Sequence, residues 1–155
     1  MAKWGSCDIR QLKEIQKRLE QLDTNKLSEI CTSLTNELSA RLLRKVIKRT
    51  PVGDYPSSSG KTGGTLRRGW NIGAVNKIGD RYEVEIINPT MYASYVEFGH
   101  RTRNHKGWVR GRFMMTISER ELEAQAPKII ERRLMEYLEW CFKWLMTLLL
   151  QYLKS

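Results

Sequence analysis

From Leu27 to Val46 the apolar residues recur at steps of three and four: Leu27, Cys31, Leu34, Leu38, Leu42 and Val46. That spacing places them on one face of a helix about five turns long, and such a face needs a partner to cover it. Arg41, Arg44, Lys45, Lys48 and Arg49 crowd the last turns, where cations favour the negative end of the helix dipole. Thr50-Pro51 then stops the helix, because the residue before a proline is pushed out of the helical region. Any fold this chain adopts has to cover one side of a long rod that ends abruptly at position 50.

Two further stretches carry the same period. Ile9, Leu12, Ile15, Leu19 and Leu22 form an earlier stripe, with Ser6 or Asp8 as a cap. The polar Asp23-Thr24-Asn25 interrupts it, so the expectation is two helices, over 7–23 and 26–50. Near the other end, Ile130, Leu134, Leu138, Cys141, Leu145 and Leu148 form a stripe that Tyr137, Trp140 and Trp144 widen. Pro127 suits a helix start, which predicts a helix over 127–154. Glu136, Glu139 and Lys143 break its apolar character. Ten residues separate Lys143 from Lys154, against roughly 20 needed to cross a bilayer. So broad a stripe on a small chain favours a subunit interface.

The middle reads differently. Residues 51–64 are rich in Gly, Ser and Pro and form a loop. Leu66, Trp70, Ile72 and Ala74 share one face of a strand-like segment, and Tyr82, Val84 and Ile86 alternate with Glu83 and Glu85 in a second. "NKIGD" supplies the turn, which predicts an antiparallel hairpin over 66–88. Residues 91–98 read as a short helix with Tyr92, Tyr95, Val96 and Phe98 as its buried side and Gly99 as its stop. Residues 100–112 form a basic loop, and "FMMTI" a third short strand. The expected class is α+β: one domain of long N-terminal helices and a C-terminal helix packed on a small antiparallel sheet, with two extended basic loops.

Charge is the second constraint. The net charge is +10, and it sits in the middle: residues 41–112 carry 15 Lys/Arg against 5 Asp/Glu, while the segments on either side are balanced. A basic centre between neutral ends points to one surface facing a polyanion or an acidic partner. Cys7, Cys31 and Cys141 are odd in number and far apart; they suggest neither a metal site nor a disulfide framework, and fit a reducing cytoplasm. The first residues turn charged before any apolar run begins, unlike a signal peptide.

Catalytic patterns are weak. "SGKTGG" at 59–64 lacks the earlier glycine and the preceding strand of a phosphate-binding loop. Glu83, Glu85 and Asp80 could hold a metal, yet Arg67 and Lys77 offer ordinary salt partners. Glu97 with His100 and His105 has the residue types of a zinc or nucleophilic site, but the surrounding Arg and Lys oppose a cation. Glu97 reads better as a pairing group for a basic neighbour or another subunit. Trp70 and Trp108 beside Arg67, Arg68 and Arg110 could stack bases, with Trp70 better placed in a core. The residues expect no catalytic centre, metal or cofactor.

Two segments together resemble a known family. "TPVGDYPSSSGKTGGTLRRGW" is similar to the loop-to-strand signature of a family of tailed-phage tail components, often called gene-product-ten-like and related to the lambda minor tail protein Z. "YASYVEFGHRTR" followed by "GRFMM" resembles its second signature. The resemblance covers roughly residues 27–135, with a longer insertion, "GDYPSSSGK", before Thr62-Gly63. It implies a non-enzymatic virion component: a tail-completion or neck protein, assembled in the host cytoplasm, that joins tail to head at the head-proximal end.

The resemblance also implies a homo-oligomeric ring, a hexamer being one closed count, and no membrane. Its partners would be portal or connector, tail-terminator, sheath or tail-tube proteins, with nonspecific contact to DNA in the lumen. Candidate DNA-facing or partner-contacting residues are Lys61, Arg67, Arg68, Arg101, Arg103, Lys106, Arg110 and Arg112. Candidate subunit-interface residues are Glu97, Trp140, Trp144 and Leu148. The competing readings are a free-standing, sequence-nonspecific nucleic-acid-binding protein, and an enzyme built on Glu97 with His100 or His105.

Overall fold

The computed structural model describes residues 9–60 and 62–152, with side chains described at 25–60, 62–143, 146 and 147. In chain order the elements are helix α1 (Ile9–Arg49), a 3-10 turn at Ser57–Ser59, helix α2 (Thr65–Arg68), and strands β1 (Asn71–Ile72), β2 (Asn76–Ile78), β3 (Arg81–Glu83) and β4 (Ile86–Ile87). Helix α3 (Ala93–Phe98), strands β5 (Gly99–Arg101) and β6 (Trp108–Arg110), and helix α4 (Met114–Tyr152) complete the chain. The class is α+β, with three two-stranded antiparallel ladders: β1–β4, β2–β3 and β5–β6.

The two long helices lie antiparallel. Lys45 and Arg49 of α1 both reach Glu121 of α4, Glu37 takes Arg132 and Arg133, and the Lys26 ammonium lies 5.4 Å over the Trp140 ring. As the α1 number falls, the α4 number rises. Bonds from Lys45 and then Arg49 hold the Glu121 carboxyl below its ordinary pKa. Arg41 first, with help from Arg133, does the same for Glu37. Between the rods the contact is close because small hydroxyl residues line it: Ser39 and Ser118 are buried and donate to the carbonyls of Thr35 and Met114 one turn back. That back-bonding satisfies their hydroxyls inside the interface.

The core is thin. Among the described residues the buried apolar side chains are Val46, Leu66, Met114 and Ile129, all at or near the α1–α4 seam or its junction with α2. Leu38 and Leu42 share a cleft with Val84, Ile86, Met115 and Leu122, so the middle of the chain covers part of the α1 stripe. Tyr82 Oη donates to Ser28 Oγ at 2.9 Å and ties β3 to α1.

Several expected elements differ. Asp23-Thr24-Asn25 does not break α1, which runs unbroken from Ile9 to Arg49; these residues have modest helix propensity, and none is Gly or Pro. Helix α4 begins at Met114, so "FMMTI" is its first turn rather than a strand, and Pro127 sits inside it. The proline removes the bond to the Glu123 carbonyl, and both residues are exposed, so water can take that acceptor. The expected hairpin forms over 71–87 with its two-residue turn at Gly79-Asp80, where Gly79 supplies a φ of +60°. Residues 65–68 coil into α2 instead, and Ile72 and Ala74 are exposed.

Candidate functional site

Both sequence signatures turn out to finish a helix. In the first, Thr50 is fully buried at the end of α1. Its hydroxyl donates to Val46 O at 2.7 Å and accepts from Trp70 Nε1 at 2.8 Å. Its carbonyl accepts two bonds from the Arg67 guanidinium, at 3.0 and 2.7 Å. A planar fork on a terminal carbonyl satisfies an orphan acceptor and places a cation at the negative helix end. Asn88 Nδ2 donates to Leu66 O at 2.8 Å and so latches α2 to the strand that returns beside it. The loop before α2 closes on itself through Gly63, where a Cβ would lie 2.0 Å from Gly53 O.

The second signature starts α4. Glu97, 6 % exposed, accepts from Met115 N–H and Thr116 N–H at 3.0 Å each and from Thr116 Oγ1 at 2.9 Å. Those are the second and third residues of α4, whose N–H groups have no partner within the helix. No Ser, Thr, Asp or Asn stands immediately before Met114, so Glu97 performs as a cap from another helix what a local N-cap residue does elsewhere. In return, Arg112 N–H and Phe113 N–H donate to Val96 O and Glu97 O and close the last turn of α3. The two backbones touch: a Cβ on Gly111 would lie 2.2 Å from Glu97 O, and one on Gly99 2.4 Å from Val109 O.

Between these fixed points projects the β5–β6 ribbon. Gly99, His100 and Arg101 pair with Arg110, Val109 and Trp108. The tip is ordered by Thr102, which bonds to Asn104 at 2.6 Å and accepts from Gly107 N–H at 3.0 Å, with His105 in the left-handed region. Alternation puts Arg101, Trp108 and Arg110 on one face and His100 and Val109 on the other. Trp108 is 63 % exposed, and the adjoining α3 presents Tyr95 at 58 % and Phe98 at 62 %; Tyr95 meets His100 edge-on at 5.9 Å. Arg101, Arg103, Lys106, Arg110 and Arg112 are all exposed, and among the described residues none joins an ion pair.

The structure thus divides the expected set. Arg101, Arg103, Lys106, Arg110 and Arg112 come together on one ribbon with its tip and base. Arg67 does not join them, since it is spent on Thr50; Arg68 is exposed near Gly63. Lys61 lies outside the described residues, as do the side chains of Trp144 and Leu148. Glu97 is turned inward to a helix end rather than outward to a basic residue or a subunit, because unpaired helical N–H groups are the stronger claim on a carboxylate. Tyr92, Tyr95 and Phe98, expected on the buried side of α3, are exposed, and Glu97 holds the inward position instead. Trp140 is half-covered by Lys26 of its own chain.

Thr50, expected as the helix stop, and Trp70, expected in the core, are bonded to each other, while Asn88 carried no sequence signal. The uncapped start of α4 is the signal that would have placed Glu97. Among the described residues, no group of three or more His, Cys, Asp or Glu is placed to hold a metal, and no helix is long and apolar enough to cross a membrane. The arrangement offers cations and aromatic faces for contact.

Comparison with known proteins completes the picture. The sequence model of a family described as "Bacteriophage HK97-gp10, putative tail-component" matches residues 13–99, from α1 through both the Thr50 junction and Glu97 to the first residue of β5. No curated protein and no solved structure matches the chain. With more than half its length matched, the chain belongs to the HK97-gp10-like family of bacteriophage tail components.

Proposed function

We propose that the protein is a tail-completion or neck component that assembles as a ring at the head-proximal end of the tail and helps join tail to head. The observation that carries this reading is the exposed apolar row on α4 of a chain in this family. Leu134, Leu138, Phe142 and Met146 recur at steps of four along one helix with Met135 beside them, and all five are exposed, a face that a neighbouring subunit would cover. Repetition of one subunit around a closed axis then multiplies the basic ribbon into a collar.

The test is a genome from which this gene is deleted. Filled heads and complete tails that fail to join, restored by supplying the protein, are the expected result in negative-stain images. Normally joined particles without the protein would sink the reading.

A further inference from the structure

We infer that the Arg101–Trp108–Arg110 face of the β5–β6 ribbon is a docking surface for an acidic protein partner rather than for DNA. The inference rests on the proposed function only in taking that partner to be another virion protein.

Charge alone does not separate the two partners, because five cations without an ion-pair partner among the described residues would suit phosphates or carboxylates equally. The aromatic residues do separate them. A DNA duplex passing through a ring presents phosphates and groove edges, and its bases are stacked; it offers no free face to an indole. Trp108, at 63 % exposure between two arginines, would gain little from such a duplex and costs apolar exposure in water. The composition matches a protein interface, where aromatic residues and Arg are enriched and Lys, Asp and Glu depleted. From Gly99 to Arg112 there are four Arg, one Lys and no acid.

Preorganisation points the same way. The ribbon has a bonded tip, through Thr102, Asn104 and Gly107, and a fixed base, where Gly111 allows backbone contact with α3 and Gly99 with β6. A rigid ribbon loses little freedom on docking. Gly99 also opens the space beside Arg110 over which the Trp108 indole lies, since a Cβ there would meet Nε1 at 2.9 Å. The partner surface that fits is an apolar recess able to take the indole, rimmed by Asp or Glu.

The experiment compares the full chain with two variants. Trp108→Ser removes the aromatic contact and keeps every cation; Arg101→Gln with Arg110→Gln removes the cations of that face and keeps the indole. Each is mixed with tails, and separately with filled heads, purified from particles lacking the protein, and co-sedimentation is measured. Binding to a random-sequence DNA duplex is followed by fluorescence anisotropy, and thermal melts confirm that the exposed substitutions leave the fold intact.

The expected result is that the wild-type chain sediments with tails or heads and that the aromatic variant loses about tenfold or more in affinity. Its weak binding to the duplex should be unchanged. Undiminished sedimentation of the aromatic variant, with duplex binding lost in the charge variant, would overturn the inference and assign the ribbon to nucleic acid. Failure of the wild-type chain to sediment with either particle would overturn it too, and normal joining without the protein would mark the proposed function as the part that failed.

Discussion

At the scale of single residues, Glu97 decides more than any other side chain. It joins two helix ends that have no covalent connection shorter than the 99–113 excursion. Replacing it by Ala leaves the part-buried Met115 and Thr116 N–H groups without their acceptor and should lower stability by about 1–2 kcal/mol, the cost of a lost cap. Glu97→Gln keeps one acceptor oxygen and loses the favourable charge at the helix N-terminus, so its cost should be nearer about 1 kcal/mol. Urea unfolding midpoints check both values. A Glu97→Ala chain as stable as wild type, yet defective in particle joining, would mean that the carboxylate serves a partner instead. The residue types in "YVEFGHRTR" were legible; their orientation was not. A six-residue helix has room for one inward side chain, and the demand of α4 for an acceptor, invisible locally, gave that place to Glu97 over the aromatic residues.

At the scale of elements, the sequence period found the long helices, and turn chemistry found the 71–87 hairpin. Their limits differ from the sequence pattern for physical reasons. Asp23-Thr24-Asn25 is polar without being a breaker, and Pro127 is tolerated because the carbonyl it frees faces water. The start of α4 was hidden because its cap lies on another helix. What holds the two rods together is partly ionic and depends on pH. Glu37 and Glu121 titrate below their ordinary value of 4.5 in the folded chain. Their contribution is therefore complete above about that pH and is lost as pH falls through the lower folded values. Both sit near solvent, so the effect is modest. A Glu37→Gln, Glu121→Gln chain should melt below wild type at pH 7, and the gap should narrow as pH drops under 4. A gap that stays constant across that range would show that these ion pairs do not set the difference.

At the scale of the whole molecule, the thin core and the long exposed apolar row are what the proposed self-association is tested on. Sedimentation velocity should find wild-type protein in species several times heavier than its 18.2 kDa. Leu138→Glu with Phe142→Glu should leave a folded monomer at the same concentration, because two charges would have to be buried in the contact. Unchanged assembly by that variant would move the subunit contact elsewhere. One further consequence follows from the junction of the two rods. The chain departs α1 at Thr50 and rejoins α4 at Met114, and Glu121 holds those two crossings side by side through Lys45 and Arg49. Everything between them is bonded back into the rods, through Arg67 and Trp70 to Thr50 and through Glu97 to the first turn of α4, so the inserted segment and the rod ends have to change together.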